Sequence, residues 1–69
     1  MPGHDEGDTA SLWEPISTAP FHHDLELAVM EAGEIVALVV PSRRVIGGWV
    51  EARTGKPIVV RPSHWRAWR

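Results

Sequence analysis

The residues best suited to chemistry gather at the end of the chain, where Arg61, His64, Arg66 and Arg69 are interleaved with Trp65 and Trp68. Arginine neutralises phosphate and an indole ring stacks on a base, so this segment has the make-up of a single-stranded nucleic-acid surface. A plainer reading is that both tryptophans supply core area and the arginines form the solvated alternate face. A second cluster, His22-His23-Asp24, offers imidazole and carboxylate donors that, together with His64, could hold zinc or nickel. Neighbouring residues of an extended chain point to opposite sides, so His22 and His23 cannot easily share one ion. They read as ordinary loop histidines, with His64 bonded to backbone, and no metal or other cofactor is expected.

Catalytic patterns are weaker still. Thr54-Gly55-Lys56 has the ending of a phosphate-binding loop, but Gly48 is too far upstream and Pro57 stands where a magnesium-binding hydroxyl belongs. It reads as a hairpin turn. Ser11, Ser17, Ser42 and Ser63 sit in no Gly-x-Ser-x-Gly setting, and the chain has no cysteine nucleophile. Ser63, just after Pro62, reads as bonding nearby backbone in a turn. Glu31 and Glu34 flank a turn and form no acid/base pair with a recognisable pocket. The expectation is a protein that is not an enzyme.

A chain of 69 residues allows one domain to hold these side chains, with 43% hydrophobic and 23% charged residues placing it among ordinary soluble folds. Such a chain has little apolar area to bury and should be marginally stable. Without cysteine it has no disulfide framework to compensate, leaving core packing or self-association. The longest apolar run is far short of the roughly 20 residues that span a bilayer, and the N-terminus carries acids where a signal peptide carries Lys or Arg. A cytoplasmic protein with no membrane contact is expected. Six of the seven basic residues are Arg, and Asn, Gln and Tyr are absent, which fits either a coding bias or a use of Arg's bidentate geometry.

Charge is divided unevenly. Residues 1–40 hold eight acids and no Lys or Arg, whereas residues 41–69 hold seven bases and only Glu51 against them. Such asymmetry can mark a nucleic-acid contact or an acidic partner. In a domain this small it reads better as two charged faces that attract each other on folding.

Along the chain, residues 1–11, acidic and glycine-containing, predict a disordered tail, and residues 12–69 a single small β domain. Trp13 to Pro20, with two prolines, is an arm whose Trp13 and Ile16 need a surface to lie on. Phe21 to Asp24 is a loop. Leu25 to Glu31 alternates as a strand does, yet its Leu, Glu, Ala and Met also favour a helix over residues 24–32. The short Ala32-Gly33 connection favours the strand, because Gly33 can take a positive φ in a hairpin. The run Glu34 to Val40, with six consecutive apolar residues, reads as the central strand, covered on both sides. Pro41 to Arg44 should then turn the chain into a strand over Val45 to Glu51, whose Gly47-Gly48 pair leaves room for a ring from Trp13, Trp65 or Trp68. Ala52 to Lys56 is a hairpin loop, Ile58 to Arg61 the returning strand, and the end of the chain a turn or last β segment.

Three of these stretches together are similar to a known pattern. Trp13-Glu14-Pro15-Ile16-Ser17-Thr18-Ala19-Pro20, the Gly48-Trp49 pair and the closing Pro62-Ser63-His64-Trp65 resemble a group of small bacterial and phage-associated domains of unknown function. That group opens on W-x-P-I-x-T-A-P and closes on P-[ST]-H-W, and the likeness covers residues 13 to 68. Phe21-His22-His23 departs from it, where an acidic-Gly or basic-Asp-Gly turn is usual. The resemblance implies a compact, mainly β domain and brings no activity with it.

The fold expected is a single antiparallel meander or barrel-like sheet of four to five strands, with an α+β fold as the alternative if residues 24–32 are helical. The function expected is a non-catalytic protein-interaction module, monomeric or weakly self-associating, working through an edge strand or an exposed Trp. The alternative is nucleic-acid binding through Arg61, His64, Trp65, Arg66, Trp68 and Arg69.

Overall fold

The computed structural model of the chain describes residues 12–69, so the expected disordered tail lies outside the described residues. Six strands form one antiparallel sheet: β1 (Glu14–Pro15), β2 (Leu25–Glu31), β3 (Glu34–Val45), β4 (Gly48–Glu51), β5 (Pro57–Ile58) and β6 (His64–Ala67). Their order across the sheet is β1-β6-β2-β3-β4-β5. The protein is therefore mainly β, as its pattern predicts, in an open sheet of six strands rather than four to five: β2 to β5 form a meander, and β6 returns to lie between β1 and β2. No α-helix is formed among the described residues, and a single 3-10 turn, Ile16–Thr18, is the one helical element there. Residues 24–32 resolve to a strand and its turn, because β2 bonds to a neighbour on each side.

Strand β2 is the true centre. Leu25 and Leu27 are buried on one face, where Ala19 from the arm covers them and Ile16, Leu38, Trp49 and Trp65 close in. The arm is tied down at three points. The Ile16 amide donates to the Ser63 carbonyl at 3.0 Å, Arg44 Nη1 donates to the Ala19 carbonyl at 2.7 Å, and Trp65 Nε1 donates to Thr18 Oγ1 at 2.9 Å. The Arg44 guanidinium also lies 4.6 Å from the Phe21 ring centre and 5.8 Å from that of Trp49, so one cation holds loop, arm and sheet together.

Part of the uneven charge is matched within the fold. Both ion pairs found among the described residues join an acid of the first half to a base of the second: Asp24 with Arg43 at 2.6 Å and Glu26 with Arg66 at 2.7 Å.

Several boundaries differ from the sequence reading. Pro41 to Arg44 does not turn; it continues β3, with Pro41 and Ser42 buried, and the turn falls at Ile46 and Gly47. Gly47 and Gly48 hold φ of 93° and 155°, values that open the way into β4, and no atom lies within 4 Å of the space beside either. No ring of Trp13, Trp65 or Trp68 fills that space. Instead a groove of about 410 Å³ opens there between Ile16, Phe21, Arg44, Ile46 and Pro62. The returning strand is only Pro57–Ile58, and residues 59–62 run on outside any strand. Pro57 occupies the two positions open to it, the first residue of a strand and a sheet edge. Gly55, at φ 75°, makes the expected left-handed turn. The Ser63 hydroxyl reaches across the sheet to the Ala28 carbonyl rather than to local backbone, because β6 inserts between β1 and β2.

The largest correction concerns Glu34 to Val40. It is not a covered central strand: it is the outer half of β3, and Ile35, Val36, Val39 and Val40 are all exposed. Strand β4 is four residues long and reaches only Ser42 to Val45 of β3, so it ends before it can cover the rest of that strand.

Candidate functional site

The outer half of β3 is built by a tight hairpin. Ala32 at φ 50° and Gly33 at φ 81° are the two central residues of a type I′ turn, whose twist matches that of paired strands. Gly takes this geometry freely, whereas Ala pays a penalty of roughly 1 kcal/mol for its Cβ. From this turn, Glu31 pairs with Glu34, Met30 with Ile35, Val29 with Val36 and Ala28 with Ala37. Strand β6 stops at the Ala28 level, where its His64 is the last partner. Residues 29–36 therefore project as a two-stranded ribbon, about 10 Å beyond the last β6 pair at a rise near 3.4 Å per residue.

Which backbone groups of β3 look outward follows from one hydrogen bond. In an antiparallel ladder a residue turns its N–H and C=O to the same side, and the side alternates along the strand. The Ala28 carbonyl accepts from the Ser63 amide at 2.8 Å, so Ala28 faces β6 and forms a non-bonded pair with Ala37. Ala37 consequently turns its own N–H and C=O away from β2, as do Ile35 and Val39. Among the described residues no strand pairs with that side; the next backbone bond along it is the Ala52 amide to the Pro41 carbonyl, at 2.8 Å.

This edge lacks the usual protections. No charged residue and no proline interrupts Ile35 to Val40, and Val39 is 80% exposed. The ladder is irregular only at the inner end, where the step from Leu25 to Leu27 in β2 faces the step from Ser42 back to Leu38 in β3. Met30 on the other strand of the ribbon is also half exposed. The ribbon presents apolar side chains on both faces, and its β3 edge is the longer of its two stretches of unpaired backbone, since on the β2 side only the step beyond Ala28 is open.

The C-terminal residues singled out from the sequence divide between different places. Trp65 is partly buried against the core, and His64 is held by Nδ1 to Ser63 Oγ at 2.8 Å. Arg66 is bound by Glu26 and lies 4.0 Å from the Trp13 ring centre. Trp68 and Arg69 flank Arg66 in a shallow cleft with Val39, and Arg61 lines a separate groove with Trp49 and Ile58. The sheet thus brings Arg66, Trp68 and Arg69 together and leaves Arg61 apart. His22 and His23 remain on an exposed loop.

Sequence reasoning missed the open edge at Ile35, Ala37 and Val39 because a continuous apolar run shows that both faces are apolar, not that anything covers them. The usable signal was the length mismatch between a long run and the short strand allowed by Gly47-Gly48 and the turn at Ala52. No helix among the described residues is long and apolar enough to cross a membrane. Comparison of the chain with protein-family models, curated proteins and solved structures finds no match.

Proposed function

We propose that the protein is a non-catalytic protein-binding module that takes up an extended segment of its partner by strand addition along Glu34 to Val40. The observation that carries this reading is the open outer edge of β3, with the N–H and C=O groups of Ile35, Ala37 and Val39 turned away from β2 and apolar side chains around them. Backbone hydrogen bonds would supply affinity and the alternating Ile35 and Val39 side chains a preference for apolar residues in the partner. An edge of this kind is costly to leave open, since it pairs with any suitable strand it meets.

Binding to nucleic acid through the C-terminal segment is supported less well. Glu26 neutralises Arg66, and Trp65 packs on the core, which leaves Trp68, Arg61 and Arg69 without the continuous stacking surface such a site uses. The cysteine-free sequence suits a reducing compartment, and we place the module in the cytoplasm. The likeness of Trp13 to Pro20 and Pro62 to Trp68 to small phage-associated domains adds a bacterial or phage setting to the proposal.

The test is capture of binding proteins from the native cell lysate by wild type and by Ala37→Pro, each with and without nuclease. Ala37 donates its amide to no strand of this fold, so proline there removes an outward donor without breaking the β2–β3 ladder. Nuclease-resistant capture that is lost in the variant is the expected result. Capture that nuclease abolishes, or that the variant retains, overturns the reading.

A further inference from the structure

The outward groups on β3 are symmetric about one residue. Ile35 and Val39 lie two positions either side of Ala37, and these three are the residues of the run whose backbone faces outward. A two-fold axis through Ala37 would set the strand antiparallel to its own copy. Ile35 then pairs with the copy's Val39, Ala37 with the copy's Ala37, and Val39 with the copy's Ile35. All three are bonded pairs, so every outward donor and acceptor is satisfied.

We infer that the occupant of the β3 edge is a second copy of this chain, joined by antiparallel pairing of Glu34 to Val40 into a continuous sheet. This rests on the edge being a strand-binding site, and it names the strand. Side chains agree with the register. On one face Val39 meets the copy's Ile35, and on the other Val36 meets the copy's Leu38, pairs of the branched apolar kind that stabilise antiparallel neighbours. The residues they cover, Ile35, Val36, Val39 and Val40, are the exposed apolar side chains of β3. The smallest side chain sits on the axis, where the two strands face each other directly.

Length and charge agree as well. In this register the copy's Glu34 lies opposite Val40, one residue short of Pro41, whose carbonyl is already taken by the Ala52 amide. The pairing fills the free edge and stops where β4 begins. The tip of the ribbon carries Glu31 and Glu34, and the turn it would approach, beyond Ala52, carries the exposed bases Arg53 and Lys56. Acid therefore meets base at both ends of the pair. Because each copy offers the same edge and uses it up, the assembly closes at two and does not grow. One strand pair buries less than a standard interface, so a reversible dimer with a dissociation constant of roughly 1 to 100 μM is expected.

Sedimentation equilibrium of the full chain across about 1 to about 500 μM brackets that constant. The expected result is a monomer–dimer equilibrium for the wild type. Ala37→Pro, with far-UV circular dichroism unchanged, should stay monomeric throughout. Val39→Lys provides a second variant should the proline disturb folding: it replaces an exposed side chain and should weaken the dimer at least tenfold. A wild type monomeric at every concentration, a dimer that survives both variants, or growth beyond two copies would overturn the second-copy occupant. A monomeric wild type whose capture of other proteins is still lost in Ala37→Pro overturns only that occupant, whereas capture retained by Ala37→Pro overturns the edge reading beneath it.

Discussion

The two halves of β3 are one strand in two environments. From Pro41 to Val45 the strand has β4 along Ser42 to Val45 on one side and meets Leu25 of β2 at Ser42 and Phe21 at Arg44 on the other, with Pro41 and Ser42 buried and Arg44 reaching to the Ala19 carbonyl, Phe21 and Trp49. From Glu34 to Val40 it has β2 on one side only, and its apolar side chains face solvent. The more apolar half is the less covered. Burial here is decided by the length of the neighbouring strands, and β4 is only four residues long. The half flanked by β4 helps tie loop, arm and sheet together, and the other half leaves its outer edge open.

Mutations should separate these halves by size of effect. The largest belongs to the core beneath them: Leu27 is fully buried, and Leu27→Ala should cost about 3 kcal/mol, enough to unfold much of so small a domain, read by urea denaturation. A loss below about 1 kcal/mol would show that β2 is not the centre. Next comes the enclosed half of β3. Arg44→Ala removes a charged donor to the buried Ala19 and the cation between two rings, for about 2 kcal/mol. Arg44→Lys should recover little of this, since an ammonium cannot stack and bond in one plane as the guanidinium does.

Smaller effects are expected in the ribbon. Ala32→Asn relieves a left-handed alanine in a type I′ turn and should stabilise the fold by about 1 kcal/mol, measurable as a higher midpoint in the same denaturation. The smallest is Val39→Ala, which in the dissociated chain should change stability by less than about 0.5 kcal/mol. If Val39→Ala matched Leu27→Ala in cost, the contrast between the two halves would fail.

Much of the local structure is legible in the residues. Gly33 and Gly55 mark left-handed turns, Pro57 marks an edge, and the alternation of Leu25, Leu27 and Val29 marks a strand, since each of these depends on the chain's own backbone chemistry. Placement of β6 is not legible, because Trp65 and Ala67 find their β2 partners some 40 positions away and nothing local selects that side of the sheet. The same holds for the edge. The apolar run Ile35 to Val40 announces a strand of high β propensity, but its exposure is set by where β4 stops, a property of the turn at Ile46-Gly47 and of Ala52. For the C-terminal cluster, Arg66 reads from sequence as a free cation, and only the register of β6 on β2 brings Glu26 to it.

The open edge is tested most directly by amide hydrogen exchange in dilute solution, where the chain is dissociated. The account predicts an alternating pattern along one strand. The Val36 and Leu38 amides, bonded to β2, should exchange slowly, while those of Ile35, Ala37 and Val39 exchange close to the rate of an unstructured chain. Equal protection of all five amides in dilute solution would mean that the outer edge of β3 is already covered, and would contradict the account.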